Sequence, residues 1–135
     1  MKYLVLLLIF LNLSCKSDKK APVILEVHDF AGVAPYLELE GSKTYVVNFW
    51  ATWCAPCIQE LEAFNEEYEQ RKSEFNIEII AVSIDDVRTK NRVKPLVNGR
   101  NWNFTILMDT NQDLKRVLGV INPPYTFVVK DGKIV

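Results

Sequence analysis

The sequence has few of the residues that build metal centres, and its longest apolar run is too short to cross a membrane. Its 135 residues include three cysteines, and the single histidine is His28. A structural zinc site takes about four cysteine or histidine ligands, and a spanning helix needs about 20 apolar residues. Sixteen basic residues nearly balance seventeen acidic ones, so no basic surface for nucleic acid is indicated. The composition argues against a zinc-binding domain, a membrane-spanning protein and a nucleic-acid-binding protein.

A strand, a tight turn and a helix follow one another at residues 45–74, and the rest of the chain is organised around them. Residues 45–50 are mostly β-branched or aromatic and do not alternate with polar residues, which is typical of a strand buried on both faces. Cys54 and Cys57 follow. Beyond them apolar residues recur at helical spacing, which predicts an amphipathic helix: Ile58, Leu61, Phe64 and Tyr68. Cys54 is therefore predicted at the start of the helix and Cys57 one turn inside it.

The placement of the two cysteines points to thiol chemistry. A helix N-terminus has unpaired N–H groups and the positive end of the helix dipole, and both stabilise a thiolate over a thiol. Cys54 is thus the expected nucleophile, and Cys57 is placed to attack a mixed disulfide formed at Cys54. Pro56 suits a first helical turn because an N–H there would have no helical acceptor. A structural disulfide and half of a zinc site are the alternatives, and the C-x-x-C spacing favours redox chemistry.

Residues 48–57, with the sequence NFWATWCAPC, resemble the active-site segment of the thioredoxin superfamily, specifically of the membrane-anchored TlpA/ResA-like thiol/disulfide oxidoreductases. The resemblance extends from Tyr45 to Val135. It implies an α/β fold, a thioredoxin-like three-layer sandwich whose mixed central sheet is flanked by helices. The family usually adds a last helix, which the 135 residues do not reach. The sequence is then either a fragment or a sandwich that lacks this helix and is capped in another way.

The same resemblance implies an activity and its setting. The chain would exchange disulfides with exported protein substrates through its Cys-Ala-Pro-Cys site, in the direction of reduction. The haem-binding cysteines of exported apocytochromes are candidate substrates. Electrons would come from a membrane electron-donor protein, and no metal or organic cofactor would take part.

A proline pair, Pro123 and Pro124, comes just before a predicted strand. Such a pair can simply stop a helix, because proline neither continues a helix nor donates to a sheet. In the resembling family a cis-proline at this point faces the C-x-x-C, and Pro124 matches it. The backbone exposed there would pair with a substrate strand. Pro123 departs from the family pattern, since it has no N–H to offer such a substrate.

Glu60 and Trp53 are the remaining candidates near the cysteines. Glu60 lies three residues after Cys57, on the same helix face. In the resembling branch a glutamate stands here and an asparagine stands at the place of Asn48. Glu60 is thereby expected to accept the proton that Cys57 loses before it attacks. The alternative is a solvated helix glutamate. Trp53, next to the first thiol, is expected on the docking surface for partners, although it could also only pack there.

The N-terminal residues predict export. Lys2 precedes an apolar run that fits the hydrophobic part of a secretory signal. The segment 11–15, LNLSC, looks like a bacterial lipobox in which Cys15 would be lipidated. We therefore expect a signal peptide at 1–14, a lipid anchor and tether at 15–21, and a thioredoxin-like domain at 22–135. The protein would face the periplasm, or the outside of the cytoplasmic membrane. An ordinary cleaved signal is the alternative.

The other segments alternate between strand and helix. Strands are predicted at 23–27, 76–84, 104–108 and 126–130, and helices at 29–39, at 85–98 up to Pro95, and at 112–118. Asp131 and Gly132 predict a hairpin turn. This order predicts a mixed sheet between helices.

Two rival functions stay open. A peroxiredoxin-like peroxide reductase would share the fold, but its signature is absent, since Ala51 stands where it needs serine or threonine. A non-enzymatic binding module, such as a metallochaperone, would call for further histidine, methionine or cysteine near the pair.

Overall fold

Strands from both ends of the sequence join one mixed sheet in the computed structural model, which describes residues 24–26, 42–131 and 133–135. In sheet order the six strands of this part are β1 (Ile24–Glu26), β4 (Thr105–Met108), β3 (Ile77–Ser83), β2 (Thr44–Trp50), β5 (Tyr125–Lys130) and β6 (Lys133–Ile134). The first four are parallel, and β5 and β6 run antiparallel to their neighbours. The predicted mixed sheet and its closing hairpin are confirmed.

The position of β2 in the middle of the sheet explains its amino-acid sequence. It pairs with β3 on one side and with β5 on the other, so its backbone groups are satisfied within the sheet. Its last three residues, Asn48, Phe49 and Trp50, are completely buried. A strand enclosed on both faces needs an apolar run without alternation, which is the pattern of residues 45–50.

The helices connect the strands and flank the sheet. Helix α1 (Ala55–Phe75) joins β2 to β3, α2 (Val93–Arg100) joins β3 to β4, and α3 (Asp113–Val117) joins β4 to β5. The crossovers through α1 and α2 progress in the same direction across parallel strands, so the right-handed rule puts both helices on one face. An ion pair of 2.7 Å between Glu62 of α1 and Arg100 of α2 agrees with this.

The aromatic core lies beneath these two helices. Trp50 meets Trp102 edge to face with ring centroids 5.2 Å apart, and Trp102 stacks on Phe104 at 5.5 Å. Tyr68 of α1 contacts Phe104 at 6.3 Å. The prediction that Trp50 is a core residue is confirmed. These rings fix the end of β2, from which the turn to the cysteines begins.

The helix after β3 was the wrong part of the secondary-structure prediction. Residues 85–89 form no helix, a single 3-10 turn spans Lys90–Arg92, and α2 runs from Val93 to Arg100. Pro95 lies in the first turn of α2, where no helical hydrogen bond depends on its nitrogen. The proline therefore belongs to the beginning of a helix, whereas the sequence was interpreted as ending one there.

Several predictions fall on residues that the structure does not describe. The signal at 1–14, the anchor and tether at 15–21 with Cys15, and the helix at 29–39 all lie outside the described residues. Within the ranges that are described, no helix has both the length and the apolar character needed to cross a membrane.

Candidate active site

The two cysteines lie where the sequence predicts them. Cys54 is the N-cap residue of α1 and Cys57 lies in its first turn, and the two are joined by a disulfide. The backbone N–H of Cys54 donates to the Ala51 carbonyl at 3.1 Å, and the Cys54 carbonyl accepts from Ile58 at 3.2 Å. The first turn of α1 contains no acidic side chain and no side-chain cap. The positive end of the helix therefore acts on the cysteine sulfurs without a competing carboxylate.

The two cysteines differ in burial. Cys57 is completely buried, whereas Cys54 retains 6% of its surface at the mouth of the turn. Beside it, Trp53 is 56% exposed. A thiol that attacks another protein must be reached from outside, and a thiol that resolves the resulting mixed disulfide needs contact only with its neighbour. This difference in exposure is compatible with Cys54 as nucleophile and Cys57 as resolving thiol, an assignment that stays a prediction.

A cluster on the β3 side holds the turn, and we call Thr52, Ser83 and Asp85 the loop latch. The Asp85 carboxylate accepts hydrogen bonds from the Thr52 backbone N–H at 2.9 Å and from its hydroxyl at 2.6 Å. The Ser83 hydroxyl donates to the same carboxylate at 2.8 Å. Asp85 is completely buried. These bonds fix the backbone two residues before Cys54, so the latch sets the position of Cys54.

A second cluster joins α1 to the sheet on the β5 side, and we call Asn48, Glu60 and Thr126 the polar ring. One N–H of the Asn48 amide donates to Glu60 Oε2 at 2.9 Å, and the same amide nitrogen donates to Thr126 Oγ1 at 2.8 Å. The Thr126 hydroxyl donates to Glu60 Oε1 at 3.5 Å. Asn48 is buried, Glu60 half-buried and Thr126 exposed, so the ring leads from the core to solvent.

The proline pair lies at the same end of the sheet. Tyr125 pairs with Phe49, so Pro124 comes opposite the last residue of β2, close to the turn. The bond between Pro123 and Pro124 is cis, as the resemblance implies. Pro124 is exposed and Pro123 partly buried. The structure thus gathers Trp53, Pro123 and Pro124 around the turn.

Sequence reasoning missed the roles of Asp85 and Thr126. The sequence pattern places Asp85 at the start of the predicted helix at 85–98, although it follows β3 at the edge of the sheet where β2 also ends. Trp50 pairs with Ser83, and this register brings Asp85 to the turn. Thr126 pairs with Asn48 across an antiparallel ladder that joins residues 78 positions apart. The carboxyl ends of adjacent parallel strands were a usable signal for Asp85, whereas Thr126 required the register itself.

Comparisons with known proteins agree with this geometry. Residues 27–135 match the AhpC/TSA family. The chain is 37% identical over 118 residues to the thiol-disulfide oxidoreductase ResA of Bacillus anthracis. The matched residues cover 87% of this chain and 66% of that protein. The chain thus spans slightly less than two thirds of the length of that relative.

Two solved structures are similar as well. A thioredoxin-like protein from Porphyromonas gingivalis is 41% identical, with a TM-score of 0.61 over 69% of this chain and 61% of that one. A putative thiol-disulfide oxidoreductase from Bacteroides vulgatus is 26% identical, with a TM-score of 0.61 over 73% and 63%. The chain therefore belongs to the AhpC/TSA family and, within the thioredoxin superfamily, to the TlpA/ResA-like proteins.

Proposed function

We propose that this protein is a thiol/disulfide oxidoreductase whose reacting groups are Cys54 and Cys57. The observation that carries the proposal is the disulfide between these residues at the N-terminus of α1, with Cys54 at the mouth of the turn and Cys57 enclosed. The names of the ResA relatives support it. The thiols undergo the chemistry themselves, so the proposal includes no metal and no organic cofactor.

In the reducing direction the reaction begins with the Cys54 thiolate. It attacks one sulfur of a substrate disulfide, so a Cys54–substrate disulfide forms and the other substrate sulfur leaves as a thiolate. Cys57 then loses its proton to Glu60 and attacks the Cys54 sulfur. The Cys54–Cys57 bond forms, the second substrate sulfur leaves, and each released thiolate takes up a proton. Two electrons pass from the cysteine pair to the substrate.

Protein substrates are favoured by the surface around the turn. Trp53 is exposed beside Cys54, and Tyr125, at the start of β5, is 44% exposed next to the proline pair. We assign Trp53, Pro123 and Pro124 to substrate binding. An extended substrate segment lying along this edge meets a carbonyl acceptor at residue 123 but no N–H donor, because the residue is proline. Recognition then relies more on the apolar side chains than on a complete strand ladder.

The cellular setting is the cell envelope. We propose that 1–14 is a signal peptide, that Cys15 carries a lipid anchor, that 15–21 is a tether and that 22–135 is the catalytic domain. The lipobox-like segment LNLSC and the preceding apolar run support this division. Exported proteins, including apocytochromes with oxidised haem-binding cysteines, are the substrates. A thiol-bearing membrane electron-donor protein re-reduces the pair after each turnover.

The proposal is tested by trapping in the native host. A Cys57→Ser protein lacks its resolving thiol and should accumulate mixed disulfides on Cys54, which are detected on non-reducing gels and identified by mass spectrometry. The control carries Cys54→Ser as well and should capture nothing. Captured exported proteins that disappear in the control support the function. No capture, together with peroxide consumption but no disulfide exchange by the purified protein, would contradict it.

A further inference from the structure

We propose that Thr126 is a positioning residue for the proton transfer at Cys57, and that it acts through Glu60. The inference rests on the proposed function, in which Glu60 receives the Cys57 proton. It adds a residue that neither the cysteine motif nor its spacing singles out. The inference is argued from the polar ring, in which each hydrogen of the Asn48 amide and of the Thr126 hydroxyl has an identified acceptor.

The ring fits a carboxylate at Glu60. The Asn48 amide has two hydrogens, and they go to Glu60 Oε2 and to Thr126 Oγ1, at 2.9 and 2.8 Å. The Thr126 hydroxyl hydrogen goes to Glu60 Oε1 at 3.5 Å, the longest of the three contacts. Three hydrogens thus meet three acceptors, and both oxygens of Glu60 accept. This is the arrangement expected before Glu60 has received a proton.

When Glu60 takes the proton, only one member of the ring can adapt. A hydrogen on Oε2 would face the Asn48 N–H, and the amide cannot turn freely because it is completely buried in β2. Its Oδ1 is enclosed and has no hydrogen-bond partner among the described residues. A hydrogen on Oε1 instead faces the Thr126 hydroxyl, whose oxygen has two lone pairs. That oxygen accepts from Glu60 and Asn48 together, while the hydroxyl hydrogen turns away.

The position of Thr126 at the surface gives the proton a way out. Thr126 is exposed and Glu60 is half-buried, while Cys57 is enclosed one turn earlier on α1. The proton leaves the Cys57 sulfur for a Glu60 oxygen, and the thiolate attacks the Cys54 sulfur. Glu60 then releases the proton to water on the Thr126 side. The hydroxyl therefore serves both protonation states of Glu60, as donor to the carboxylate and as acceptor from the acid.

The charged surroundings of Glu60 are simple in the part of the chain that the structure describes. Its contacts from β2 and β5 are neutral, Asn48 and Thr126. On α1 the titratable groups that share its face are Cys57, one turn before it, and Glu67, two turns after it, which pairs with Arg71 at 2.6 Å. Glu62, two residues on, is held by Arg100 of α2 at 2.7 Å. A pH dependence that changes with Thr126 can therefore be assigned to the exchange between Cys57 and Glu60.

The test uses matched variants of Thr126. Thr126→Val keeps the shape and removes the hydroxyl, whereas Thr126→Ser keeps the hydroxyl. Reduced protein is mixed with a chromogenic aromatic disulfide, and two thiols are released in turn. The first reports attack by Cys54, and the second reports attack by Cys57 on the mixed disulfide. Both rates are measured across pH, and thermal unfolding of each variant checks that it is folded.

The expected result concerns the second release. Thr126→Val should slow it about fivefold at neutral pH, the effect of one lost hydrogen bond, and should change its pH profile without altering the first release. Thr126→Ser should restore the wild-type profile. In a Glu60→Gln background the valine should have no further effect. A wild-type profile for Thr126→Val, or an equal slowing with and without Glu60, would overturn the inference.

The same assay separates this inference from the proposed function. If wild-type protein releases both thiols and Glu60→Gln changes the second rate, the function stands and Thr126 is judged by its own variants. If Glu60→Gln behaves as wild type, the role of Glu60 fails, and the inference fails with it, although exchange through the cysteines is retained. If wild-type protein releases no second thiol, the proposed function itself fails.

Discussion

The loop latch and the polar ring lie on opposite sides of the same active-site turn, and they differ in what they allow to change. Asp85 is completely buried, and three donors from Thr52 and Ser83 fill its carboxylate at 2.6 to 2.9 Å. Glu60 is half-buried and shares its ring with an exposed hydroxyl. A filled and enclosed carboxylate holds geometry, whereas one with a route to water can exchange a proton.

The comparison teaches that two acidic residues close to one thiol pair need not share a role. Asp85 fixes the backbone two residues before Cys54, and Glu60 lies one turn beyond Cys57 on α1. Disturbing the latch should therefore change stability and the placement of the nucleophile. Disturbing the ring should change the rate and the pH profile of resolution.

The largest effect is expected at the centre of the latch. Asp85→Ala leaves the Thr52 N–H, the Thr52 hydroxyl and the Ser83 hydroxyl without their acceptor, and should lower the free energy of unfolding by about 3 kcal/mol. Chemical denaturation of the oxidised protein measures it. The matched control is Asp86→Ala next in sequence, whose carboxylate pairs with Arg88 at the surface and should matter little. Equal stability of the two variants would show that the bonds to Asp85 do not stabilise the turn.

The next effect belongs to the ring. Glu60→Gln keeps the size of the side chain and removes its capacity to take the Cys57 proton, so the second thiol release should slow by roughly tenfold or more. Stability should change little, because the amide oxygen still accepts from Asn48. Glu62→Gln is the control on the same helix, and its loss of the pair with Arg100 should leave both releases unchanged. An equal slowing in both variants would point to a helix effect rather than proton transfer.

A smaller effect separates the two threonine hydroxyls, Thr52 in the latch and Thr126 in the ring. Thr52→Val removes one bond to Asp85 and should lower the free energy of unfolding by about 1.5 kcal/mol. The pH profile of the second thiol release should stay as in wild type, in contrast to Thr126→Val. Thr52→Ser should restore stability. A Thr52→Val protein with normal stability and a displaced profile would reverse the roles assigned to the two clusters.

The smallest effect concerns a second buried carboxylate, Asp109, which lies after β4 and far along the chain from the cysteines. It accepts backbone N–H bonds from Leu114 and Lys115 of α3, and burial raises the pKa of its carboxyl above the ordinary 3.8. The folded state therefore binds this proton more tightly than the unfolded state does. The stability contributed by Asp109 is present below pH 3.8 and is lost as the pH rises through the higher folded pKa.

Asp109→Asn removes this titration and keeps one acceptor for the α3 N–H groups. The free energy of unfolding of wild-type protein, relative to the variant, should fall as the pH rises from below 3.8 through the folded pKa of Asp109. Denaturation at a series of pH values checks it. A difference that stays constant or rises over this range would contradict the assigned sign. Thiol release should be unaffected in either case.

The sequence predicts the parts of the site that depend on neighbouring residues. The apolar run of β2, the C-x-x-C pair and the amphipathic spacing of α1 lie within one continuous segment, so the strand, turn and helix follow from local rules. Cys54 at the N-cap and Cys57 in the first turn are found where expected. The proline pair before β5 is likewise a local signal, and the cis bond was expected from the resemblance.

The sequence does not predict the contacts of the site that depend on the register of strand pairing. Asp85 meets Thr52 from 33 residues away, and Thr126 meets Asn48 from 78 residues away. Neither pairing can be read from a period of two or of 3.6, because the pairing of strands decides it. Pro95 shows a different failure. Proline is compatible with the first turn of a helix and also with the end of one. The proline alone therefore does not show which of the two it marks, and the conformation of the residues before it decides.

One measurement directly tests whether the latch holds the turn while the ring serves proton transfer. It is the pH dependence of the second thiol release in Asp85→Asn and Thr126→Val proteins beside wild type. The account predicts that Asp85→Asn protein is less stable but keeps the wild-type profile. Thr126→Val protein should keep its stability to within about 1 kcal/mol and show a changed profile. A displaced profile in Asp85→Asn protein together with an unchanged profile in Thr126→Val protein would contradict it.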